Sequence, residues 1–386
     1  MTQAISFINA KVVLLNEIIE TSVQVENGLI ASIGHYSTNQ ATEIIDLKGD
    51  YLMPGLVEIH TDNLERHLMP RPKVYWDELP ALLAHDSEVT SSGITTVFDA
   101  LGVGEADTES LRGSTWNGFL KTLEFCENND LLRADHHLHV RCELPAPNTI
   151  ELFKPFEGHP KLSLISLMDH TPGQRQWENL EAARTYYTGK KGWSQEKFES
   201  QLTNAPLLQA KYAEPHRAYF VDYCKIHSIA LASHDDTTKE HVLQAASERA
   251  SISEFPTSLM AARTAHEHKM LNVMGGPNVV RGGSHSGNVA AIELARFNLL
   301  DILSSDYVPS SLLAAVVRLV DEGVYTLPQA LATVTHNPAI ATGLVDRGSI
   351  KVGLRADLIH THFVNISSHK NHAVVKSAWS KGKRIF

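Results

Sequence analysis

The chain has 386 residues, a formal net charge of −10, 43% hydrophobic and 20% charged residues. This is the composition of an ordinary globular protein, and its acidity argues against a nucleic-acid or anionic-membrane binder, both of which need basic surface. Three cysteines without CxxC spacing, Cys126, Cys142 and Cys224, point to a reducing, cytoplasmic setting. No signal pattern and no bilayer-length apolar run is present.

Residues 1–50 read as short strands: Ile5–Ile8, Lys11–Leu15, Ser22–Val25, Leu29–Ile33 and Glu43–Leu47. Asn27-Gly28 between two alternating runs signals a hairpin. From Tyr51 to about residue 345 strands alternate with helical stretches, the pattern of βα units. Eight strands are expected: Leu56–Asp62, Thr95–Ala100, His137–Glu143, Leu162–His170, Ile229–Asp235, Ile252–Pro256, Asn272–Pro277 and Leu300–Asp306. Eight such units predict a closed (β/α)8 TIM-like barrel. Residues 346–386 turn β again and pair with 1–50, giving a small β-sandwich domain built from both chain ends. The stretch 174–223 is too long for a βα loop. It either folds as a helical hairpin over the barrel mouth or decorates the surface.

Barrel active sites lie at the C-terminal strand ends, and here those ends are polar. His60 and Asp62 stand two apart and so share a face. Glu143, His170, His234 and Asp306 close four other strands. Three imidazoles and three carboxylates suit a divalent metal, one ion or two sharing a bridge such as Glu143. Zn²⁺ fits the nitrogen ligands, and the oxygen-rich set also tolerates Mn²⁺ or Mg²⁺. Asp306, beside the cation, suits a general base. Three basic loops surround the same mouth: Arg71 and Lys73, Arg175, and Arg281-Gly282-Gly283-Ser284-His285. Glycine amides and arginine forks bind phosphate oxygens, so a polyanionic small molecule is the expected ligand.

Leu52–His60, Ser305-Asp306 and Arg347–Leu358 resemble the amidohydrolase superfamily. His60–Leu64, Pro70–Val74, Ser92–Val97, Arg141–Pro145, Leu167–Gln176, Ala232–Asp236, Val280–Ala291, Leu299–Tyr307 and Gly382–Phe386 carry a closer resemblance, over nearly the whole chain, to the PhnM family of phosphonate catabolism. The resemblance implies a diphosphatase that takes a triphosphorylated ribose phosphonate, α-D-ribose 1-methylphosphonate 5-triphosphate, releases pyrophosphate and leaves the 5-phosphate. The chain departs from the wider superfamily in carrying His60-x-Asp62 in place of His-x-His, and in placing Glu143 on the third strand rather than a bridging residue on the fourth. The alternatives are a C–N amidohydrolase and a non-catalytic subunit. A homo-oligomer is left open.

Overall fold

The computed structural model describes residues 4–35, 42–71, 74–104, 112–173, 175–177, 180–190, 193–284, 287–367 and 370–386. Eight parallel strands follow one another in sheet order as in sequence. They are β1 (Leu56–Thr61), β2 (Ile94–Val103), β3 (Asp135–Glu143), β4 (Leu162–Met168), β5 (Ala230–His234), β6 (Ile252–Glu254), β7 (Leu271–Gly275) and β8 (Ile302–Ser304). Each overlaps its expected span. The last seam closes at its C-terminal end, where Asp306 N–H donates to the His60 carbonyl at 3.1 Å and Asp62 N–H to the Asp306 carbonyl at 2.8 Å. The fold is thus a TIM barrel with a separate sheet from the chain ends.

The barrel interior explains why these runs became strands. Val57, Ile59, Phe98, Leu164, Ala232, Ile252, Val273 and Ile302 pack together there, so every strand but β3 supplies an apolar side chain. On β3 the even positions Leu138, Val140 and Cys142 face the helical layer. Period-two alternation then aims His137, His139, Arg141 and Glu143 inward. Strand β3 therefore presents a polar column to an interior in which every other strand supplies an apolar residue.

The second sheet joins Ala4–Val13, Ile18–Glu26, Leu29–Ile33, Thr42–Asp46 and Tyr51–Pro54 to the C-terminal strands Leu358–Ser367, Lys370–Ser380 and Lys383–Arg384. Asn27 (φ 52°) and Gly28 (φ 78°) both take positive φ, as a tight hairpin turn demands. A Cβ on Gly28 would come within 2.8 Å of the Lys381 carbonyl oxygen, so the turn also needs glycine for close approach. Phe7, Val12, Val23, Leu52, Leu358 and Trp379 form this sheet's core.

Buried ion pairs fasten the sheet to the barrel. Arg347 and Arg355 each donate to Asp135 at 2.7 Å at the start of β3, and Arg355 also pairs with Asp357 at 3.1 Å. The Arg347–Leu358 motif is thus an anchor between the two units. Among the described residues no helix is long and apolar enough to cross a membrane.

Within the stretch 174–223, a turn at Arg175–Trp177 and a short helix at Leu180–Thr185 precede one long helix, Gln195–His227. Ser194 caps that helix through Lys197 N–H. Trp177, Tyr187, Trp193 and Phe198 from this stretch line the cavity over the barrel mouth.

Candidate active site at the barrel mouth

A cavity of about 990 Å³ opens at the C-terminal ends of the strands. All six expected metal-directed residues, His60, Asp62, Glu143, His170, His234 and Asp306, line it. The backbone is shaped to bring them there. The register of β1 against β2 slips between Glu58 and Thr61, a bulge that re-aims the strand end. Asp235, Phe255 and Asp306, at the ends of β5, β6 and β8, all take left-handed φ between 52° and 55°. Such conformations in non-glycine residues cluster where function fixes the backbone.

One side of the site is metal-directed. Donor atoms of His170, His234 and Asp235 lie within 4.8 Å of one another. His234 Nδ1 stands 2.9 Å from Asp235 Oδ2, and His170 Nε2 3.6 Å from the same oxygen. The remaining His234 nitrogen, Nε2, is buried without a hydrogen-bond partner. Buried polar atoms left without partners are costly, so the donor set fits a divalent cation. Glu143 braces this group: His170 Nδ1 lies 2.5 Å from Glu143 Oε2, and His170 N–H donates to Oε1 at 2.9 Å. Burial depresses the His170 pKa, but Glu143 and Asp235 outweigh it and push the pKa up to about 10. That places His170 between two carboxylates, a charge balance that a cation would take over.

The other side centres on His60. Its Nδ1 lies 3.0 Å from Glu254 Oε1. Glu254 in turn accepts from Ser166 Oγ at 2.7 Å, and His139 sits beside His60 with ring centroids 4.9 Å apart. Burial raises the Glu254 pKa, yet His60 and His139 reverse this and hold the carboxyl well below its usual range. Glu58, beneath, accepts the His60 N–H at 2.6 Å. Burial pushes its carboxyl up to about 7 against the hydrogen bonds from Ser305 and His60.

Asp62 has a different partner from the one its sequence position suggests. Arg141, on the β3 column, donates to Asp62 Oδ1. Asp306 stands nearby, its backbone held by His60 and Asp62. Burial first, and the Asp62 carboxylate second, push the Asp306 pKa up to about 6.

The phosphate-directed residues divide. Arg281, Gly283 and Ser284 line the cavity. Gly282 is the C-cap of the helix Gly276–Arg281, with φ 83°, and is not among the lining residues. Arg71 is solvent-exposed and away from the cavity wall. Arg175 corrects the expectation outright: it is buried, donating to the Asp236 carboxylate at 2.7 Å and the His234 carbonyl at 3.0 Å, so it props the metal-directed strand end from behind. Lys73 and His285 lie outside the described residues. Arg141, Asp235, Glu254 and His139 are site residues that sequence reasoning passed over. Asp235 and Arg141 stood in view beside His234 and Glu143, whereas Glu254 and His139 sit inside runs that read as plain strand.

No family-level sequence profile matches the chain. It is 43% identical over 380 residues to the α-D-ribose 1-methylphosphonate 5-triphosphate diphosphatase of Escherichia coli (strain K12), an alignment covering 98% of this chain and 99% of the relative. The chain belongs to that diphosphatase family. Solved structures with the same fold include N-acetylglucosamine-6-phosphate deacetylase from Pasteurella multocida (13% identity, 99% of each chain, TM-score 0.60). Dihydropyrimidinase from Brevibacillus agri NCHU1002 (12% identity, 99% of this chain and 94% of that one, TM-score 0.62) is another. These likenesses show the same barrel-and-sheet architecture in this diphosphatase family member.

Proposed function

We propose that the protein is a metal-dependent hydrolase of α-D-ribose 1-methylphosphonate 5-triphosphate. Water attacks the α-phosphorus, the bond from that phosphorus to the bridging oxygen breaks, and pyrophosphate leaves ribose 1-methylphosphonate 5-phosphate behind. The observation that carries this reading is the 43% identity to the named diphosphatase along nearly the full length of both chains.

In this reading residues 51–345 form the catalytic barrel, and residues 1–50 with 346–386 form the supporting domain. His170, His234 and Asp235, with Glu143 beside them, would hold a divalent ion, Zn²⁺ before Mn²⁺ or Mg²⁺, and His60 on β1 would be a further ligand. When bound, the ion acts as a Lewis acid toward a phosphoryl oxygen and lowers the pKa of water. Asp306 accepts the proton of the attacking water at its carboxylate, and a raised pKa suits a base that must later release that proton. Arg281 at the cavity rim, with Gly283 and Ser284, holds the leaving phosphates.

Incubation of the metal-loaded protein with the ribose 5-triphosphate, followed by phosphorus NMR, tests this. Pyrophosphate and the 5-phosphate are expected in equal amounts. Orthophosphate alone, or no turnover with zinc, manganese or magnesium, refutes it.

A further inference from the structure

We propose that Arg141 is the second positive pole of the site: its guanidinium, paired with Asp62, stands in place of a second metal ion and binds the phosphate under attack, so the centre holds one divalent ion per chain. This deepens the phosphoanhydride reading above and rests on it.

Arg141 is built into the barrel, not hung from a loop. It lies two residues before Glu143 on β3, on the same inward face, above His139. Its side chain is only 16% exposed, yet it lines the cavity. The carboxylates of Asp62, Glu65, Asp306 and Glu254 surround it, and a guanidinium stays charged in proteins. Its Nε has no hydrogen-bond partner. Such a group is a desolvated cation with a donor to spare, which suits two-point binding of phosphate oxygens.

The same geometry bears on the number of ions. A second ion could draw on Asp62 and Asp306, or on His60, His139 and Glu254, whose donor atoms lie within 4.8 Å of one another. Within that buried trio His60 Nδ1 lies 3.0 Å from Glu254 Oε1 and His139 Nδ1 2.9 Å from the Ile59 carbonyl. Arg141 already engages Asp62 Oδ1, so a divalent ion at Asp62 would face a guanidinium across one carboxylate, and like charges at that spacing repel strongly at low dielectric. On the His170–His234–Asp235 side three donor atoms converge on one another, no arginine or lysine of the described residues stands among them, and His234 Nε2 is buried without a partner. Among the described residues lining the cavity, Arg141 at the floor and Arg281 at the rim are the arginines, and none is a lysine. A polyanion reaching the metal-directed side therefore meets Arg141.

The test counts ions and measures anion binding without turnover. At saturating zinc, native mass spectrometry and elemental analysis are expected to give one ion per chain in the wild type. Asp62→Asn is expected to keep that ion. Calorimetric binding of inorganic phosphate, the group that stays on the ribose, to the zinc-loaded protein is expected to weaken roughly 10- to 100-fold in Arg141→Met, the range for losing a charged hydrogen bond. Arg141→Lys, which keeps the charge and loses the fork, should recover part of it. Two ions in the wild type, zinc lost in Asp62→Asn, or phosphate binding unchanged in both Arg141 variants would each overturn the proposal and leave the Arg141–Asp62 pair as structural only. Failure of the broader reading looks different: one ion and Arg141-dependent phosphate binding, with no hydrolysis of the triphosphate.

Discussion

His60 Nδ1 and Glu254 Oε1 lie 3.0 Å apart at the ends of strands on opposite sides of the barrel. With its proton on Nδ1 toward that carboxylate, the imidazole would keep Nε2 as the atom to face a cation. Partners of this kind behind a ligating histidine set its orientation and basicity. Glu254→Gln removes the charge and keeps the shape. Zinc affinity, measured by competition with a chromophoric chelator, should fall about 10- to 100-fold. An unchanged affinity would mean that His60 does not ligate.

Arg175 and Arg281 looked equivalent in sequence, and the structure separates them. Arg175→Ala leaves Asp236 as a buried carboxylate without its cation, which costs about 3–5 kcal/mol. The measurement is a shift in the denaturant midpoint with an unchanged slope. Arg281 is exposed at the rim, so Arg281→Ala should leave stability within about 0.5 kcal/mol and raise KM instead. A KM effect from Arg175→Ala without loss of stability would reverse the assignment.

The contrast shows what the sequence could and could not carry. Strands such as Leu162–Met168 are buried on both faces and therefore announce themselves as apolar runs. The polar residues that end them were legible as a ring because the barrel puts those ends on one rim. Glu254 and His139 were not: Glu254 ends a three-residue strand behind Ser253, and His139 is one of three histidines between Asp135 and Arg141, with no spacing that singles it out. Arg175 failed for another reason: the direction a loop turns after a strand is set by tertiary packing, and spacing does not encode it. Arg141 was visible, but its pairing with Asp62 joins the ends of two strands that are not neighbours in the sheet, and spacing along the chain does not encode that.

A second buried charge cluster lies outside the barrel, between β2, β3 and the helix Glu78–Ser91. Asp99 bridges His85 and His136, each at 2.8 Å. Burial alone would lower the His136 pKa, but Asp99 and Asp86 raise it to about 10. A histidine raised in the folded state stabilises fully below its unfolded value, about 6.5, and that contribution fades as pH rises through about 10. Asp99 is depressed by the same pairing, so its contribution fades instead as pH falls below the unfolded carboxylate value. The stability gap between wild type and His136→Gln should therefore be full at pH 6 and shrink toward pH 10, measured by urea unfolding across that range. A gap independent of pH would show that His136 is neutral in the folded protein.

Asp306 is the residue whose role is easiest to isolate, because its backbone and its carboxylate do different things. The backbone closes the barrel seam through the His60 carbonyl, Asp62 N–H and Thr61 Oγ1. None of these bonds uses the side chain. Its φ of 54° lies in the left-handed region, where asparagine is as well tolerated as aspartate. Asp306→Asn should consequently keep the fold and the bound zinc while removing the proton acceptor. Turnover should fall about 10²- to 10⁴-fold, the range for losing a general base. Asp306→Ala adds backbone strain to the same loss, so it should be equally inactive and also less stable than the asparagine variant. Turnover near wild type in Asp306→Asn would move the base elsewhere, and Glu58, buried with a carboxyl near 7, would be the next residue to change.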